Sequence, residues 1–166
     1  MITIGLSVSQ NALQTNYRLL TAQQLRDNWN KIALLLNADI AESCSAVGSN
    51  ANLTLRVLPT PESSNNPCAT SPNAQTIIYS WSGTTLSRSG PRVRSDGSLS
   101  SNSLNGQFLD SNTQVISSNV SLFEVLSNGS SSFYPQYRLT LSQNGVSYSG
   151  NSSGYQASRS RIRSFD

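Results

Sequence analysis

Two hydrophobic rhythms divide the chain. Over residues 1–45 the apolar positions return every three or four residues, whereas from Gly48 onward they come in short alternating runs between Ser- and Asn-rich stretches. Leu25, Trp29, Ile32, Leu36 and Ile40 fall along one face of a 3.6-residue period, the signature of an amphipathic helix. Arg18, Arg26, Asp27, Asn30, Lys31, Asn37 and Asp39 read mostly as its polar side. Upstream, Leu13, Tyr17 and Leu20 continue an apolar stripe through a more polar setting of Gln10, Asn11, Gln14, Thr15 and Asn16, behind an apolar lead-in from Ile2 to Val8. A helix from about Val8 to Ser43 would run some 50 Å at ~1.5 Å per residue, longer than a small domain is wide. Its second half is expected to pack on the rest of the chain and its first half to protrude. Apolar length that the chain itself cannot cover implies a partner.

The remainder reads as β structure. Leu53 to Leu58 alternates and stops at Pro59. Pro59 to Gln75, with four prolines, reads as a long surface loop. Ile77 to Ser82 and Leu86 to Arg88 form a hairpin about Gly83-Thr84-Thr85, with Ile77, Tyr79 and Trp81 on one face. Ser95 to Asn105 reads as flexible, and Val115 to Leu126 as one strand. Tyr137 to Ser142 and Gly145 to Tyr148 make a second hairpin around Asn144-Gly145, while Gly145, Gly150 and Gly154 are all read as turns. The alternating tail Arg159 to Arg163 suits an edge strand guarded by like charges. The expected fold class is α+β, a long N-terminal α-helix packed on an antiparallel β-sheet head. It forms a single domain over 1–166, with the helix in 1–45 and a Ser/Asn-rich β head in 46–166.

Composition narrows the setting. Charged residues make up 11% of the 166 positions, against roughly 25% in ordinary soluble proteins, and hydroxyl and amide side chains supply the polarity instead. Such surfaces are common on secreted and cell-surface proteins. Cys44 and Cys68 are the only cysteines. They could be two reduced, buried thiols, but Cys68 lies in the polar loop Asn65-Asn66-Pro67-Cys68, and an even pair in so polar a chain favours one disulfide in an oxidising compartment. A disulfide needs export, yet no signal peptide is visible and no stretch reaches the roughly 18 apolar residues of a membrane span. The expectation is therefore that an export address lies upstream of Met1.

Catalysis finds no foothold in the sequence. Histidine is absent, which removes Ser-His and Cys-His nucleophile activation and imidazole metal ligation. The eight carboxylates are scattered, and no phosphate-binding glycine loop occurs. The chain is read as a non-enzyme with no cofactor, no metal and no small-molecule substrate.

An apolar stub, a long amphipathic N-terminal helix and a charge-poor β head with one disulfide together resemble the type IV pilins and pseudopilins, with the hydrophobic start of the helix removed. The stub Ile2 to Ser9 resembles the point where that family's helix leaves the bilayer. The hairpin Ile77-Ile78-Tyr79 … Leu86-Ser87-Arg88 is similar to the Ile-x-Tyr … Leu-x-Arg hairpin of the larger minor pilins, the W-type of pili and the J-type of type II secretion. The basic end Arg159, Arg161 and Arg163 resembles theirs as well. The family's peptidase-cut leader is not present. The resemblance implies a bacterial cell-surface filament subunit, held in the inner membrane by the missing segment before assembly. Its partners would be other pilins, and Leu13, Tyr17 and Leu20 would contact neighbouring subunits. Two alternatives stand beside it. One is a DNA-uptake pilin whose Arg88, Arg92, Arg94, Arg159, Arg161 and Arg163 bind nucleic-acid phosphates. The other is an extracellular adhesin-like β-module on a helical stalk.

Overall fold

A computed structural model describes residues 3–58, 68, 71, 73–93, 99, 101–102, 107–108, 111–126 and 135–154, with backbone alone for 3–9, 101–102 and 107–108. Helix α1 spans Thr3–Glu42, 40 residues, or about 60 Å. It begins five residues before the sequence reading placed it, because the apolar lead-in continues the helix. Ten strands follow among the described residues: β1 Ser43–Ser49, β2 Asn52–Val57, β3 Gln75–Ser82, β4 Thr85–Pro91, β5 Ser101–Asn102, β6 Gln107–Phe108, β7 Ser111–Ser117, β8 Val120–Val125, β9 Gln136–Gln143 and β10 Val146–Ser153.

The pairings are antiparallel. One sheet runs β1-β2-β3-β4-β7, a second β10-β9-β8, and β5 and β6 form a small ribbon. The sheets meet where β8 crosses the turn ends of the first: the Val120 amide donates to the Thr84 carbonyl, and the Val125 amide to the Asn50 carbonyl. The second half of α1 lies over the inner faces and packs most heavily on β10 and β9. One core results, with Leu25, Ile32, Leu36 and Ile40 from the helix set against Leu53, Leu55, Ile77, Leu86, Phe123 and Leu139.

Where the residues carry a clear period, the elements follow it. β2 alternates Leu53, Leu55 and Val57 inward, and β3 does the same with Ile77 and Tyr79. Asn144 and Gly145 take φ of 51° and 75°, the left-handed pair that a two-residue hairpin turn demands and that Asn-Gly adopts readily. Four expectations change. The helix stops at Glu42 and β1 starts at once, with the Ser43 hydroxyl donating to the Ile40 carbonyl to close the last turn. The single strand expected from Val115 to Leu126 is two, β7 and β8, broken at Ser118-Asn119 and assigned to different sheets. Part of the stretch read as flexible, Ser95 to Asn105, pairs: Ser101–Asn102 form β5. Gly150 is no turn but lies inside β10, where an added Cβ would come 2.6 Å from the Trp29 ring. Close approach, not chain reversal, is what that glycine provides.

Candidate functional site

The uncovered part of α1 is the first candidate. From Gln10 to Leu20 every helix position is exposed, including Leu13 at 68%, Tyr17 at 56% and Leu20 at 60%. Leu19 adds a further exposed apolar side chain. Among the described residues a polar contact ties this half to the head, the Asn144 Nδ2 donating to the Tyr17 hydroxyl at 2.7 Å. Burial begins at Thr21 and Leu25, where the sheets start to lie beneath the helix. Three of the residues expected to face neighbours thus stand together on one exposed stripe.

Next to the docked half of the helix lies an open groove of about 460 Å³, between Asn28, Lys31 and Leu35 of α1 and Val115 and Ile116 of β7. Strand β7 pairs with β4 alone among the described residues. Among the described residues Lys31 is the one charged side chain lining the groove. Its walls bring no acid–base pair together, and among the described residues no group of three His, Cys, Asp or Glu side chains is placed to hold a metal.

A polar cluster sits at the centre of the core. Arg88, fully buried on β4, directs its Nε to Asp39 Oδ2 at 2.6 Å and its Nη2 to Asp39 Oδ1 at 3.1 Å. Its Nη1 donates to the Pro91 carbonyl at 2.8 Å. The Tyr79 hydroxyl on β3 donates to Asp39 Oδ2 at 2.5 Å. Burial works against the guanidinium charge, but the bonds and field of Asp39 outweigh it and hold Arg88 above its ordinary pKa. Burial, then the adjacent carboxylate, pushes the Tyr79 phenol far up, so it stays a donor. On β9, burial raises Tyr137 to about 12, although a hydrogen bond with Ser152 pulls the other way. Its hydroxyl lies 3.1 Å from Asn37 Oδ1 on the helix.

This cluster corrects two readings. Arg88 contacts no polyanion, because its side chain is wholly enclosed and its donors face Asp39 and Pro91. Asp39 is not on the polar side of the helix but 2% exposed. Both positions were legible by parity: Arg88 is two residues from Leu86 on an alternating strand, and Asp39 is three from Leu36 and seven from Ile32 on a helix. Of the other expected arginines Arg92 is exposed, while Arg94, Arg159, Arg161 and Arg163 lie outside the described residues.

Cys44 and Cys68 are joined, with Cα atoms 5.9 Å apart across 24 positions. The bridge ties Cys68 to β1 at the foot of the helix. Among the described residues no helix is long and apolar enough to cross a membrane.

These features define a class: an α+β protein whose long N-terminal helix is docked over half its length on antiparallel sheets and exposed from Gln10 to Leu20. No family model, curated protein or solved structure matches the chain.

Proposed function

We propose that this chain is a pilin-like structural subunit, a minor component of a bacterial surface filament of the type IV pilus or type II secretion kind. It joins sister subunits through the bare half of its helix, priming assembly or sitting at the tip. The observation that supports this reading most strongly is the stripe Leu13, Tyr17 and Leu20, exposed on a rod that the head leaves uncovered. Apolar side chains at that spacing on a free helix face form the packing surface for another helix. The charge-poor head and the disulfide fit a life outside the cytoplasm. Before assembly the subunit would be held at the inner membrane.

Photo-crosslinking tests the interface directly. A benzoylphenylalanine placed at Leu13 or Leu20 should give adducts with other filament subunits in the producing cell, while the same probe at exposed Ser147 on the head serves as control. Adducts at Ser147 but none at Leu13 or Leu20 would remove the helix from the assembly surface. The codons upstream of Met1 give a second check. A prepilin-peptidase site followed by an apolar helix is expected; an ordinary cleaved signal peptide would favour a free-standing adhesin.

A further inference from the structure

Asp39, Tyr79 and Arg88 form a polar cluster within a largely apolar core. A salt bridge this deep is a weak source of stability, since desolvating both charges offsets most of their attraction and well-packed apolar side chains would serve as well. What apolar packing lacks is direction. Leu25, Ile32, Leu36 and Ile40 meet the strands through apolar surface alone, whereas directional bonds between helix and head come from Trp29, Asn37 and Asp39, and the Asp39 set carries charge and is the strongest kind. The Arg88 fork is satisfied at a single setting. Two of its nitrogens engage the two Asp39 oxygens, while the third is held by the Pro91 carbonyl, which fixes the guanidinium to the end of β4. Tyr79 reaches one of those oxygens from β3. A one-turn slide of the helix, about 5.4 Å, takes the carboxylate out of reach of all three donors.

We propose that Asp39, Tyr79 and Arg88 act as a register lock, positioning residues that fix the axial and rotational setting of α1 on the head. The lock thereby aims the bare half of the helix. It rests on the geometry of the core and holds whether or not the helix serves a filament. If it does, the lock decides which face Leu13, Tyr17 and Leu20 present to the next subunit.

The test uses the full chain with its disulfide intact, spin-labelled at Gln14→Cys on the exposed helix and Ser82→Cys at the end of β3. Pulsed electron resonance should give one narrow distance distribution for the otherwise unaltered protein. The triple variant Asp39→Leu, Tyr79→Phe, Arg88→Met replaces the cluster with apolar groups of similar size. It should stay folded by circular dichroism while its distribution splits or broadens at least twofold. Arg88→Lys keeps the charge but loses the fork, and should also broaden it. An unchanged narrow distribution in either folded variant overturns the proposal. So does loss of folding in either, because the cluster would then act through stability rather than register. Failure of the crosslinks at Leu13 and Leu20 would leave this result untouched, so the two readings fall separately.

Discussion

The two halves of α1 share a backbone, a period and a set of apolar side chains, yet differ in what lies opposite them. Leu25, Ile32, Leu36 and Ile40 face two sheets and are buried, while Leu13, Tyr17 and Leu20 stay more than half exposed. A stripe at helical spacing therefore says that a partner is required, not whether it comes from the same molecule. The sharpest way to break the comparison is to truncate one residue in each half. Leu36→Ala opens a cavity in a fully buried site and should cost about 2–5 kcal/mol. Leu13→Ala, at 68% exposure, should stay within about 0.5 kcal/mol. Urea unfolding followed by circular dichroism measures both. A large loss from Leu13→Ala would mean that the free half is covered after all.

Alkaline pH tests the docked half through its phenols. The folded pKa of Tyr137 is raised to about 12 by burial, above the ordinary value near 10. Folding thus favours the protonated form. That contribution is complete below about pH 10 and disappears as pH rises through about 12, amounting to roughly 2–3 kcal/mol. Tyr79 is shifted in the same direction and steepens the loss. Urea midpoints from pH 8 to 11.5 should therefore fall above pH 10, and more gently in Tyr137→Phe. Parallel curves for the two proteins would show that Tyr137 ionises freely in the fold.

A smaller effect comes from the place where the helix seats on β10. Gly150→Ala puts a Cβ against the Trp29 ring, whose Nε1 is held by the Leu139 carbonyl at 2.9 Å. The ring cannot swing aside without losing that bond, and overpacking of this kind costs about 1–3 kcal/mol. Trp29 fluorescence should shift together with the unfolding midpoint. An unchanged spectrum and midpoint would show that the helix seat is more yielding than its geometry implies.

Most of the elements were legible because their residues keep time with the geometry. The second half of α1 carries a 3.6-residue stripe, β2 and β3 alternate, and Asn144-Gly145 supplies a turn whose φ values ordinary residues avoid. Strand β1 was hidden because Ser-Cys-Ser-Ala-Val-Gly-Ser has small side chains and little contrast between faces. The break between β7 and β8 escaped because Ser118-Asn119 resembles the Ser- and Asn-rich sequence around it. The core cluster was missed for a different reason. Asp39 and Arg88 obey the inward parity of their neighbours, but each alone would be costly to bury, and only their pairing across 49 positions offsets that cost. Pairing between distant residues is a property of the fold and leaves no local trace.

The finest test of the comparison is Tyr17, where the free half touches the head. Its ring is 56% exposed, and its hydroxyl accepts one exposed hydrogen bond from Asn144. Water replaces an exposed bond of this kind at little cost, so Tyr17→Phe and Tyr17→Ala should each change stability by no more than about 0.5 kcal/mol. Assembly should separate them. If the stripe packs on a sister helix, Tyr17→Phe keeps the ring and is incorporated normally. Tyr17→Ala loses a buried aromatic contact worth about 1–2 kcal/mol and falls roughly five- to thirty-fold in incorporation. Quantitative blotting of sheared surface filaments against the cell-bound pool reads that ratio. Equal incorporation of both variants, with stability unchanged, would mean that the exposed stripe is bare in the assembled state as well, and the helix would then be a spacer rather than an interface.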